Sequence, residues 1–91
     1  MPSIVKKLVV KNKSGLHARP AAVFVQVANK FDSRITVKRE GDDEEVNGKS
    51  IMGILMLGAE RGSSIIIEII GDDAESAMSE LERIIINEGE L

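Results

Sequence analysis

From Ser3 to Lys11 the apolar and polar positions run at period two. Ile4, Leu8 and Val10 fall on one side, and Lys7, Val9 and Lys11 on the other, which predicts a half-buried strand. Asn12 to Gly15 (NKSG) is turn chemistry. Between Leu16 and Lys30 the spacing becomes helical, with Ala21, Phe24, Val25 and Ala28 on one face. Pro20 suits a helix only in its first turn, where a missing N–H costs nothing, so the helix is predicted to begin near Ala18, directly after His17. Ser33 to Arg39 alternates again with Ile35 and Val37 inward; an acidic turn, Glu40 to Glu45, then leads to a short strand over Glu45 to Asn47. Ser50 to Leu57 has apolar residues at both periods, but Gly48 before it and Gly58 after it favour a short helix. Ser63 to Ile70 is β-branched on both faces, the pattern of a strand inside a sheet. Ala74, Ala77, Met78, Leu81, Ile84 and Ile85 form a last helical stripe, with Asp72 and Glu75 as a capping-box-like start and Gly89 as a stop.

The predicted order is β-α-β-β-α-β-α, an α+β sandwich whose sheet has one face covered by helices. No linker or repeat interrupts the 91 residues, so one domain spanning residues 1–91 is expected. Composition narrows the function. The chain has no cysteine, which removes disulfides, thiolate metal sites and thiol nucleophiles. A net charge of -3, with Phe24 and Phe31 as the only aromatics, leaves neither a basic surface nor a stacking platform for nucleic acid. No apolar run reaches the ~18 residues of a membrane span, and no signal peptide opens the chain, so a cytoplasmic protein without membrane insertion is expected.

The one histidine lies in Gly15-Leu16-His17-Ala18-Arg19-Pro20, immediately before a predicted helix start. A helix N-terminus has unpaired N–H donors and about half a positive charge, so it favours an anion such as a phosphoryl group carried on the imidazole. The same field disfavours a protonated ring and leaves a neutral nitrogen as nucleophile. Arg19 can bring a planar, permanent cation to phosphate oxygens. On residues alone, blander readings stand beside this one: His17 as a polar cap and Arg19 as a solvated charge. One histidine without cysteine leaves only carboxylates as further metal ligands, so neither metal nor cofactor is expected. Ser14 or Ser50 could serve a hydrolytic triad by residue type, but no spacing supports it.

The second unusual segment is Lys49-Ser50-Ile51-Met52-Gly53-Ile54-Leu55-Met56-Leu57. A helix here cannot bury all of its apolar residues, and methionine suits a surface that accepts several partners. A short packed helix with Ser50 as its cap is the plainer alternative. A phosphate on Ser50 would set a dianion beside the apolar patch.

The strings GLHARPAA around His17 and KSIMGILMLG around Ser50, with the length and element order, resemble the HPr family, histidine-containing phosphocarriers of the phosphoenolpyruvate-dependent sugar phosphotransferase system. The second string is similar to that of Gram-positive-type members with a regulatory serine. The resemblance implies a four-stranded antiparallel sheet with three helices on one face; a monomer is the default expectation. It implies that His17 accepts a phosphoryl group on Nδ1 from enzyme I and passes it to enzyme IIA domains, with Arg19 stabilising the phosphate. It also implies that Ser50 is the target of HPr kinase/phosphorylase, and that the phosphoserine form binds a catabolite-control regulator. Docking is implied on Ala22, Gln26, Ile51, Met52, Leu55 and Met56. An alternative role is a regulatory interaction protein, a corepressor acting through Ser50 with His17 little used. The turn from Gly41 to Glu45 is longer and more acidic than the family leads one to expect, and Gln26 and Asn29 lie where many relatives have basic or otherwise different residues along the docking face.

Overall fold

The computed structural model describes residues 1–88, which leaves the predicted stop at Gly89 outside the described residues. The elements are β1 Ser3–Val9, α1 Ala18–Ala28, β2 Arg34–Arg39, β3 Val46–Asn47, α2 Ile51–Met56, β4 Ser64–Ile70 and α3 Ala74–Ile86. Their order is the predicted one, and their ends differ from the expected ends by a residue or two. The sheet runs β1-β4-β2-β3, antiparallel throughout. The isoleucine-rich β4 therefore sits between β1 and β2, as its two-faced apolar pattern required.

Three helices cover one face. Leu8, Val10, Ile35, Val37, Ile65, Ile67 and Ile69 point from the sheet into the core, where they meet Phe24 of α1, Ile54 of α2 and Met78, Leu81 and Ile85 of α3. Phe24 is fully buried, a burial that contributes about 1.5–3 kcal/mol. The opposite face of the sheet is open, with Val5 56% and Val9 42% exposed. Lys6 shares the inward parity of Ile4 and Leu8, yet its side chain runs out along the sheet edge to Glu82 Oε1 of α3 at 2.7 Å. Both partners are partly solvated, so the pair adds at most about 1 kcal/mol.

The predicted capping box at Asp72 and Glu75 is corrected by the structure. The N-cap of α3 is Asp73, and its carboxylate makes no capping bond. It accepts hydrogen bonds from the Ser33 hydroxyl, from Asp32 N at 2.9 Å and from Ser33 N at 3.0 Å. Asp73 thus ties the entry of β2 to the start of α3, and the acceptor that capping would need is spent across the chain. Gly71 allows the approach, since a Cβ there would lie 2.8 Å from Ser33 Cα. The Ser33 hydroxyl, followed by the Asp32 N–H, holds the Asp73 carboxyl below the usual carboxylate range, while partial desolvation acts the other way.

A carboxyl that is more acidic folded than unfolded adds stability above its unfolded value. That stability is lost as pH falls through the folded value. Asp73→Asn is therefore expected to lower the melting temperature at neutral pH, and the gap to wild type should narrow as pH falls through and below the ordinary carboxylate range. Thermal melts across that range check this, and a gap independent of pH would overturn it.

Candidate functional site

The chain leaves β1 through a bracketed loop. Val10 N–H donates to Ser63 O and Gly62 N–H to Val10 O, both at 2.8 Å. The Asn12 side chain accepts from Ser14 N at 3.2 Å, closing a turn that Gly15 completes at φ +67°. Leu16 N–H then donates to Ala59 O at 2.8 Å, and the Leu16 side chain is buried, so the residue before His17 is anchored on both counts.

His17 follows as the N-cap of α1, with extended backbone at φ -126° and ψ 167°. Its ring makes no capping hydrogen bond, so the residue holds the cap position without its side chain serving as the cap. The side chain is half-buried beside helix-start N–H groups that Pro20 leaves in place, because proline occupies a position whose N–H would have had no partner. Arg19 is exposed in the first turn. Between them, Ala18 has φ +47°, the one non-glycine residue with positive φ among the described residues. A left-handed conformation costs an L-residue about 1–2 kcal/mol, and such strain tends to collect at functional positions. Nothing in the sequence signals it, since alanine there reads as ordinary helix material.

Ser50 is the N-cap of α2, and its Oγ accepts from Gly53 N at 3.1 Å. The plainer reading of Ser50 as a helix cap thus describes its contact. α2 runs antiparallel to α1, as two contacts establish. Its entry lies against the end of α1, where Asn29 Nδ2 donates to Lys49 O at 3.1 Å. Its exit returns to the start of α1 at the Leu16–Ala59 hydrogen bond. Ser50 therefore stands at the far end of α1 from His17, an offset of about 16 Å for 11 residues at 1.5 Å each.

Of the docking residues implied by the resemblance, Ala22 and Gln26 are exposed, and their spacing of four places them on one face of α1. On α2, Ile51 is 39%, Met52 64%, Leu55 37% and Met56 75% exposed. The helix buries Ile54 and turns the rest of its large apolar side chains outward. This is an apolar surface between the two ends marked by His17 and Ser50. Among the described residues no three acidic or histidine side chains gather to hold a metal ion, and no helix is long and apolar enough to cross a membrane.

A family model described as the PTS HPr component phosphorylation site matches residues 4–87, nearly the whole chain. The chain belongs to the HPr family. The phosphocarrier protein HPr of Treponema pallidum is 44% identical over 87 residues, covering 96% of this chain and 97% of that protein. The HPr-like protein Crh of Halalkalibacterium halodurans is 46% identical over 78 residues, covering 86% of this chain and 90% of its own. The crystal structure of the phosphocarrier protein HPr from Bacillus anthracis superposes with a TM-score of 0.85 at 44% identity, covering 91% of this chain and 96% of that one. The four-stranded antiparallel sheet with three helices is the HPr fold. The family model describes a component of the phosphotransferase system, and the Treponema pallidum relative is a phosphocarrier protein.

Proposed function

We propose that this protein carries a phosphoryl group on Nδ1 of His17, taking it from phosphorylated enzyme I and delivering it to enzyme IIA domains of sugar transporters. One observation carries the reading: a half-buried histidine is the N-cap residue of an 11-residue helix, yet its side chain makes no capping hydrogen bond. Its ring is left for chemistry where helix N–H donors and dipole favour an anion.

In the transfer the Nδ1 lone pair of His17 attacks phosphorus as the bond to enzyme I breaks; in the second step a nucleophile of the enzyme IIA domain attacks the same phosphorus as the P–Nδ1 bond breaks, which frees His17. Charge spreads over the phosphoryl oxygens, and Arg19 with the helix-start N–H groups offsets it. The protein's task is to present the group, while the partner supplies in-line geometry. A modest apolar surface on α1 and α2 suits such brief docking better than an extensive interface. The test is transfer of labelled phosphate from phosphoenolpyruvate through purified enzyme I. Acid-labile, base-stable label on the protein is expected. A folded protein that takes no label from an active enzyme I overturns the reading.

Ser50 is proposed as the regulatory site, modified by an HPr kinase/phosphorylase and read by a catabolite-control regulator. Likeness to Crh of Bacillus subtilis, described as a catabolite repression HPr, supports the second, regulatory reading, in which Ser50 would carry the main signal. Ser50 lies about 16 Å from His17 along α1, so charge there acts on docking more than on the phosphoryl step. Aspartate keeps an oxygen acceptor for Gly53 N, so Ser50→Asp adds charge without removing the cap. It is expected to raise the KM of enzyme I for this protein by about threefold to tenfold, with little change in kcat and a smaller effect at high salt. Unchanged KM at low salt would sink the prediction.

A further inference from the structure

α2 is too short and too exposed to be held by what it buries. Of its six residues only Ile54 is buried. Isolated helices below about 12 residues are marginal in water, so contacts outside its own turns must fix it. Beside the core packing of Ile54 and of the C-cap residue Leu57, polar contacts sit at its two ends. At the exit, Arg39 Nη1 of β2 donates to Leu57 O at 3.4 Å. At the entry, Asn29 Nδ2 donates to Val25 O of its own helix at 2.9 Å and across to Lys49 O at 3.1 Å. Lys49 Nζ reaches the other way and donates to Phe31 O at 2.6 Å.

The two cross-bonds are reciprocal. The last turn of α1 grips the backbone just ahead of Ser50, and the side chain of that segment grips the chain leaving α1. The segment is pinned below as well: Gly48 N–H donates to Ile35 O at 2.8 Å. A Cβ on Gly48 would come within 2.5 Å of Ile35 Cγ2.

The geometry points to Asn29 and Lys49 as positioning residues for partner docking. Their crossed hydrogen bonds fix α2 against α1, so the apolar surface shared by the two helices is formed before a partner arrives. This rests on the phosphocarrier reading, since the surface matters to transfer only if partners dock on it. Preforming the surface spares the ordering cost that a loose α2 would add to every encounter. Neither residue reaches the reacting atoms, because the clasp sits at the far end of α1 from His17.

Asn29→Leu and Lys49→Met keep side-chain bulk and remove the donors, while Lys49→Arg keeps a donor. Amide hydrogen exchange at Gly53 and Ile54 is measured beside the kinetics of transfer from enzyme I. Both donor-less variants are expected to speed exchange in α2 by about tenfold and raise KM about fivefold to tenfold, with kcat within about twofold and the Ile67 amide unchanged. Lys49→Arg should stay near wild type in both. Raised KM with unchanged exchange would mean direct contact with the partner and would overturn the proposal. Faster exchange with unchanged KM overturns it too, since the clasp would then serve the fold alone. Unchanged values in both measurements refute it outright. A wild-type protein that accepts no phosphoryl group removes the carrier reading, and the docking role falls with it.

Discussion

Replacing His17 by alanine is expected to abolish phosphoryl transfer and to leave the melting temperature within about 3 °C of wild type. The two halves of this outcome come from the same geometry. The ring is half-buried and makes no capping hydrogen bond, so its loss breaks no bond that the helix needs. The backbone on either side is held by other groups: Leu16 N–H by Ala59 O at 2.8 Å, and Ala21 N–H by the His17 carbonyl at 3.5 Å, which alanine also supplies. Chemically the loss is complete, because the chain has no second histidine to take over. Transfer assays and thermal melts on the same sample decide the matter. Residual acid-labile label would place the acceptor elsewhere, and a large fall in melting temperature would make His17 a structural residue.

Gly15→Ala is expected to have the largest effect on stability, lowering the melting temperature by about 10–20 °C. Two independent costs coincide there. At φ +67° an L-residue is strained by about 1–2 kcal/mol. The new Cβ would also lie 2.6 Å from Ala59 O and 2.9 Å from Glu60 Cα, backbone atoms that cannot swing aside. Relieving that clash means parting the loop before His17 from the loop after α2, with loss of the Leu16–Ala59 hydrogen bond at roughly 1 kcal/mol or more. Gly62→Ala is the control. Its φ is +92°, but no atom lies within 4 Å of a Cβ built there, so only the backbone cost applies. Equal destabilisation by the two substitutions would show that the close approach at Gly15 carries no weight. In the fraction of Gly15→Ala that stays folded, transfer should also slow, because the displaced loop carries His17.

Much of this architecture is legible in the chain, and the reasons are local. Period-two alternation marks β1 and β2, the doubly apolar β4 belongs inside the sheet, and Pro20 places the start of α1 near Ala18, where the helix begins. The sequence reading failed where a side chain serves a distant segment. Asp73 and Ser33 are 40 positions apart, and no periodicity announces that one will bind the other. An acidic residue before a helix reads as a cap until the competing donors are seen. Lys49 and Asn29 are likewise unremarkable polar residues until α1 and α2 are placed side by side. The strain at Ala18 has no sequence signal, because it lies in a backbone angle and not in a residue type. At the candidate site, the residue types around His17 and Ser50 suggested the chemistry. The 16 Å offset between them, which separates a docking effect from an effect on transfer, follows only from the antiparallel course of α2.

The position of β4 has a bearing on how the molecule comes into being. β1 precedes the other described strands along the chain, yet among the described residues its one neighbour in the sheet is β4, paired from Ser3 with Ile70 to Val9 with Ser64. β2 leans on the same strand, from Arg34 with Ile70 to Arg39 with Ile65. Until β4 is made, neither has a main sheet partner, and only the two-residue β3 can join β2. At roughly 5–20 residues per second, synthesis keeps the nascent chain without its central strand for several seconds. Most of the width of the sheet can therefore close only once β4 has been added, so the sheet is not built up strand by strand as the chain grows.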